Sequence, residues 1–370
     1  MANNCNYSCI VGVLSNGEVS NGAFPSGKKA RLFKEMLTCA EQRKILLYFF
    51  YRVDVDWGRE IIRGFTWDNK YGWIKRNYPF PDVVYNRIRF RKFESLNETR
   101  KLLKKFEERP KIHLFNSRFL NKWEVYQAIT RHPDGAKVVP DTIIYNQINL
   151  KNFLDKYKEV YLKPVNGSLG KGIIKVVFSS GSYQFAIAQK KQIKWSKCHS
   201  FDTLYKQLES IEGVSRNKYL VQRSINLARY EGRVFDLRTQ TQKDGLGQWV
   251  FTGVGVRIAG ENRIVTHIPN GGSAASYEEI IKKTFGTSKE KKESIDNQLK
   301  HIGELVPMIL EENLGINLAV LSMDIGIDSE GKVWVLEVNS KPSSFDEDDI
   351  RKKHLKYLLD YCIYATRNNE

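Results

Sequence analysis

The segment LSMDIGIDSEGKVWVLEVN (Leu321 to Asn339) leaves the chain few folds to choose from. Two runs alternate apolar and polar residues with period two, and Asp328-Ser329-Glu330-Gly331 supplies turn chemistry between them. That pattern predicts an antiparallel hairpin. If Ile327 pairs with Lys332, Asp324 lies opposite Val335, and Glu337 becomes its diagonal neighbour about 7–8 Å away. Side chains alternate along strands, so Asp324, Glu337 and Asn339 share one face. Leu321, Met323, Ile325, Ile327, Trp334, Leu336 and Val338 take the other and build core. Three hard oxygen donors suit Mg²⁺ completed by phosphate oxygens. An EF-hand frame would put Gly326 where the first ligand must be Asp, and it would need helices in place of strands. A surface hairpin with solvated acids is the competing reading.

A second feature lies upstream. Lys163-Pro164-Val165-Asn166-Gly167-Ser168-Leu169-Gly170-Lys171-Gly172 is a glycine loop between two strand-like runs. Glycines let backbone N–H groups approach an anion, and Lys163 and Lys171 add charge. The Walker A spacing is absent, and no helix follows to supply a dipole. Taken alone, the loop reads equally as a plain hairpin turn. A third feature is polar. Asp236 and Arg238 share a strand face, Arg257 follows, and a converging arginine pair suits a transferring phosphoryl group. Asn270-Gly271-Gly272-Ser273 comes after them.

These features sit in a chain of 370 residues, long enough for two or three domains. Residues before about 115 alternate strand-like and helix-like segments: CIVGVL, a helix over KKARLFKEMLTCAEQ, ILLYFFY, a third strand Asp82–Ile88, a basic helix Leu96–Glu108 and HLFN. Asn116 or Ser117 is expected to cap a helix Phe119–Thr130, which HPDG ends. Strands and a helix then lead to the glycine loop. A β-rich block follows from Tyr219 to about Ile268, then long helices between Ser276 and Glu312, the hairpin, and a last helix from about Asp348. The longest apolar run, Ile45–Tyr51, is far short of the ~20 residues of a membrane span. The N-terminus lacks a signal-peptide pattern. The five cysteines (Cys5, Cys9, Cys39, Cys198, Cys362) read as reduced thiols of a cytoplasmic protein.

In order and spacing these motifs resemble the ATP-grasp superfamily, from about Asn116 to Tyr364, with RimK-type amino-acid ligases nearest in the D-x-R and later arginine segments. Those enzymes read R-G-G where this chain has Asn270-Gly271-Gly272. FPDVVYNRI, FNSRFLNKW and EVNSKPS look more specifically like the YheC/YheD-type, endospore-coat-associated ATP-grasp proteins. The resemblance implies an α/β fold: an N-terminal α/β pre-ATP-grasp domain (1–115), a linker helix and mobile glycine-loop lid (116–222), and an ATP-grasp core (223–370). It implies ATP phosphates on Lys122 and Lys163 with Gly167, Ser168, Gly170, Lys171 and Gly172. Adenine would lie on Gln222, Arg223, Ser224 and Ile225, with Asp236 and Asn270 also on the nucleotide side. Asp324, Glu337 and Asn339 would hold two Mg²⁺, and Arg238, Arg257 and Lys163 would be catalytic.

The activity expected on this resemblance is a carboxylate–amine ligase. ATP would phosphorylate a carboxylate, and an amine would displace phosphate from the acyl phosphate. Positioning and charge neutralisation carry such chemistry, and the chain places no Ser/His/Asp or Cys/His set beside these motifs. A kinase using the same machinery, or a structural coat component with residual ATP binding, are the alternatives. The formal charge of +17 fits an acidic partner. From Arg87 to Lys111 ten Lys/Arg face four Glu, which suggests an acidic peptide or protein acceptor for an added amino acid. Nucleic acid is not expected, because no recognisable module interleaves aromatics with these charges.

Overall fold

The computed structural model describes residues 7–16, 25–167, 170–188, 194–211, 213–214, 219–260, 276–345 and 347–369. Its first sheet is built from β1 (Cys9–Leu14), β2 (Ile45–Phe50), β3 (Val55–Asp56), β4 (Ile61–Asp68), β5 (Gly72–Pro79), β6 (Val83–Asn86) and β7 (His113–Phe115). The order is β3-β4-β2-β1-β6-β7, with β5 on β4, and the β2-β1-β6-β7 part is parallel. Continuous apolar runs such as CIVGVL are what a sheet covered on both faces requires. Phe33 and Met36 of the helix Gly27–Glu41 pack on one face together with Leu355, Leu358 and Leu359 of the C-terminal helix Asp348–Arg367. Leu102, Leu103 and Phe106 of the basic helix, observed over Asn97–Glu107, cover the other.

The β4–β5 hairpin has no counterpart in the sequence reading. Much of it is exposed, so apolar alternation is weak. Its glycine is positional: the Tyr48 and Tyr78 rings stack at 4.5 Å, and a Cβ on Gly64 would come within 2.6 Å of Tyr48.

The second sheet has β8 (Thr142–Ile144), β9 (Glu159–Pro164), β10 (Ile174–Ser179), β11 (Ser182–Ile187), β12 (Trp195–Cys198) and β13 (Tyr219–Arg223) in the order β12-β11-β10-β9-β13-β8. All its pairs are antiparallel. Leu150, Leu154, Leu204 and Leu208 from two helices close its core. The third sheet contains β14 (Arg229–Tyr230), β15 (Arg233–Lys243), β16 (Trp249–Ile258), β17 (Val320–Ile327) and β18 (Val333–Asn339), in antiparallel pairs backed by the helix Lys289–Leu314. Among the described residues no helix is long and apolar enough to cross a membrane, and Cys9, Cys39, Cys198 and Cys362 are free thiols. Cys5 lies outside the described residues.

Two expectations about the helix start are corrected. The helix starts at Lys122, not Phe119, and Asn121 caps it. The helix ends at Thr130 as expected, and HPDG opens a second short helix, Pro133–Val138, capped by His132. Asn116 has another task. It is fully buried with φ of 51°. Its amide nitrogen donates to the carbonyls of Val320 (2.7 Å) and Ser340 (2.6 Å), and its Oδ1 accepts from the N–H groups of Ala319 (3.0 Å) and Val320 (3.2 Å). One side chain thus ties the end of the first sheet to β17 and to the exit of β18. Asn116→Ala leaves buried backbone groups unpaired and puts alanine, which tolerates positive φ less well than asparagine, at this position. The expected loss is at least about 2 kcal/mol, read as a lower denaturation midpoint at unchanged m-value.

Candidate functional site

The β17–β18 hairpin is present, with a register different from the simple one. Asp328 organises a longer turn: its Oδ1 accepts from the N–H groups of Glu330 (3.0 Å) and Lys332 (2.9 Å), and Gly331 adopts φ of 81°. Ile327 therefore pairs with Val333, not Lys332, and Ile325 with Val335. A bulge follows. Two residues of β18 are spent against one of β17, so Glu337 sits directly opposite Asp324 rather than diagonal to it. Asn339 pairs with Ser322. The longer turn and the bulge together exchange faces. Val333, Val335 and Val338 join the core, whereas Leu336 turns with Glu337 toward the cleft, and Trp334 stays outside the core cluster.

The lysines converge on this hairpin. A capping box fixes the first turn of the helix Lys122–Thr130: Asn121 Oδ1 accepts from Glu124 N (2.9 Å), and Glu124 Oε1 accepts from Asn121 N (2.6 Å). Lys122 Nζ then donates to Glu337 Oε1 (3.1 Å) and to the carbonyl of Gly167 (2.6 Å), joining hairpin and glycine loop. Lys163 Nζ donates to Gln222 Oε1 at 2.5 Å. Burial pushes its pKa down to about 8, with Glu337 opposing the fall and Lys122 adding to it.

The arginine pair is asymmetric. Arg257 grips Asp236 with two hydrogen bonds (2.7 and 2.9 Å) and lies 2.9 Å from Asp324 Oδ1. Burial alone would lower its pKa, but Asp324 and Asp236 hold it above the ordinary value. Arg238, beside Asp324 on β15, forms no ion pair among the described residues. Burial pulls its pKa down against the attraction of Asp324. Asp324 Oδ1 is buried, with the Arg257 guanidinium 2.9 Å away. That buried carboxylate, with Glu337 and the Asn339 amide, fits a hard cation. Among the described residues no third carboxylate, histidine or cysteine joins them at ligand geometry, so such an ion would draw further oxygens from a bound phosphate.

All of this lines one cleft of about 760 Å³. Lys122, Lys163, Gly167, Gly170, Gln222, Arg223, Ser224, Ile225, Asp236, Arg238, Arg257, Asp324, Glu337 and Asn339 come together there. Lys171 and Gly172 are not on its wall; the Gly172 carbonyl accepts from Tyr219 Oη at 3.1 Å. Ser168 and Asn270 lie outside the described residues. Tyr161, Arg91, Leu336 and Lys341 also line the cleft and were missed. Only the Lys in Ser340-Lys341-Pro342 could have signalled its role, by its place two residues after Asn339. Of the basic run, Arg89 and Arg91 reach the cleft, while Lys104 pairs with Glu108 (3.5 Å) and Lys105 lies over Trp57 (5.1 Å). Ten basic and four acidic side chains line the walls, which favours a polyanionic ligand.

Comparisons with known proteins agree on the family and the fold. The profile of the YheC/D-like ATP-grasp family matches residues 111–365. The endospore coat-associated protein YheD of Bacillus subtilis (strain 168) is 28% identical over 338 residues, 90% of this chain and 72% of that protein. The D-alanyl-alanine synthetase A of Vibrio cholerae O1 superposes with a TM-score of 0.51 at 13% identity, covering 97% of this chain and 98% of the other. The D-cycloserine synthetase DcsG does so at 0.53 and 12%, covering 95% and 99%. The three-sheet α/β architecture is the ATP-grasp fold.

Lys341 is held under the cleft with its side chain 3% exposed. Its Nζ donates to the Asn86 carbonyl (2.9 Å) and the Asn116 carbonyl, and lies 3.1 Å from Glu94 Oε2. Burial brings its pKa to about 8 against the pull of Glu94. Lys341→Met strands a buried carboxylate and should cost about 3–5 kcal/mol. Adding Glu94→Gln should return part of that loss in denaturant titrations; a strictly additive double variant would show that the two groups are uncoupled.

Proposed function

The chain belongs to the YheC/D-like ATP-grasp family, and from that premise we propose that it is an ATP-dependent carboxylate–amine ligase. The observation that carries the reading is the junction of Lys122, Glu337 and the Gly167 carbonyl beside Asp324 and an Arg238 that has no ion pair among the described residues, within a strongly cationic cleft. When bound, ATP with Mg²⁺ supplies a phosphoryl group that activates a carboxylate as an acyl phosphate. Asp324, Glu337 and Asn339 would hold the metal. Lys122 and Lys163 would neutralise the phosphates, and Gly167 and Gly170 would bring backbone close to them. Gln222 and Arg223 end β13 and Ser224 and Ile225 follow it; beside them Tyr161 and Leu336 offer apolar surface for a base. Arg257, braced by Asp236, is pre-organised, and Arg238 keeps its donors for the oxyanion that forms at the activated carboxylate. A lid over 116–222 closing onto the core of 223–370 would exclude water from the activated carboxylate, with residues 1–115 on the acceptor side.

The acceptor side is the basic one. Arg89 and Arg91 bring the N-terminal sheet's positive charge into the same cleft, which supports an acidic peptide or protein as substrate and an amino acid as amine. The endospore-coat name of the relative supports a site of action in the forming spore, at or near its coat.

Release of ADP and orthophosphate with formation of an amide is the direct assay. ADP appearing only with hydroxyl acceptors would remove the ligase reading. Glu337→Gln keeps the size of the side chain and removes its charge. It should lower turnover by about two orders of magnitude or more while leaving the unfolding midpoint in place. Glu330→Gln, in the turn, should be neutral.

A proton signature should accompany nucleotide binding. With its pKa near 8, Lys163 is largely neutral at pH 8.5, and a triphosphate beside it raises that pKa. Calorimetry in buffers of different ionisation enthalpy should therefore show proton uptake on Mg-ATP binding at pH 8.5 that fades toward pH 7. Lys163→Met should abolish it.

A further inference from the structure

Three cations meet at the carboxyl ends of β1 and β6. The Arg89 N–H donates to Asn16 Oδ1 (3.0 Å), and Lys29 Nζ donates to the Asn16 carbonyl (3.4 Å). The Arg87 N–H donates to the Leu14 carbonyl at 2.8 Å. Lys29 Nζ lies 5.3 Å and Arg87 Cζ 6.0 Å from the centre of the same Phe33 ring. Among the described residues none of the three has a carboxylate partner, and Arg87 Nε is buried without a hydrogen bond. Burial, then Arg87 and Arg89, bring the Lys29 pKa down to about 8, and no acid opposes the fall.

Like charges gathered without a counter-ion are costly, and the cost is recovered when an anion arrives. The position fits that role. Arg89 lines the cleft. The cluster therefore adjoins the cleft through Arg89. We infer that Lys29, Arg87 and Arg89 form a carboxylate subsite for the acceptor. It would hold one carboxylate of an acidic peptide while a second lies at Arg238 and Arg257. The inference rests on the ligase reading for the second carboxylate; the anion subsite itself does not.

The test is calorimetric titration of the full chain with tri-glutamate, with tri-glutamine and inorganic phosphate as controls. Tri-glutamate should bind with an affinity that falls with salt, and tri-glutamine should not. Lys29→Gln and Arg89→Gln should each weaken tri-glutamate about tenfold, Lys29→Arg should retain it, and Mg-ATP affinity should be unchanged in Lys29→Gln. Equal binding of the two peptides, unaltered affinity in both glutamine variants, or phosphate competing as well as the peptide would each overturn the subsite. Charge-dependent peptide binding without ADP release for any amine would keep the subsite and remove the ligase reading. Normal ADP release with an unchanged KM for an acidic acceptor in Lys29→Gln would do the reverse.

Discussion

The extra residue in β18 governs the candidate site. By spending Val335-to-Glu337 against a single step of β17, the bulge sets Glu337 across from Asp324 while Val335 and Val338 remain in the core. Without it, alternation continuing from the buried Val335 would set Leu336 opposite Asp324 and turn Glu337 into the core. Glu337 at that position is what Lys122 reaches, and through Lys122 the glycine loop is drawn to the hairpin. A single irregularity of backbone pairing thus brings parts of two sheets to one point.

Charge explains how the assembly persists with so many ions in a small volume. Asp236 and Asp324 share Arg257, Glu337 takes Lys122, and Glu94 takes Lys341. Among the described residues, what stays without an acidic partner is mostly positive: Arg238 inside the cleft, Lys29 and Arg87 next to Arg89 at its edge, and Lys163 turned to the neutral amide of Gln222. Buried pairs of this kind add little net stability, since desolvation offsets attraction. Their value is in fixing geometry and in leaving a field that receives phosphates and carboxylates. Asn116 and Lys341 extend the same logic to architecture, anchoring the first sheet to the strands that carry Asp324 and Asn339 through bonds a hydrophobic contact could not orient.

Much of this was legible in the sequence, and the failures have physical causes. Continuous apolar runs announced β1 and β2, and alternation announced β17 and β18. Asp324, Glu337 and Asn339 come together in the cleft because their spacing survives a register error of one residue. The register itself was not legible, because it depends on Asp328 bonding two backbone N–H groups, a choice made in the folded turn. The β4–β5 hairpin and β12 are largely half-exposed or exposed and show weak patterning. Asn116 looked like a helix cap because asparagine caps helices well, and its actual partners are more than 200 residues away. The basic run was visible in composition, but only the fold separates Arg89 and Arg91, at the cleft, from lysines that pair with Glu108 or cover Trp57.

The central claim is that the hairpin and the two lysines form a metal-dependent triphosphate site. Affinity for ATP, measured by calorimetry with Mg²⁺ and again with a chelator, tests it most directly. Binding should be strong with Mg²⁺ and fall by an order of magnitude or more without it, in line with two carboxylates that repel a bare polyanion. Equal affinity in both conditions, or no nucleotide binding at all, would contradict the account.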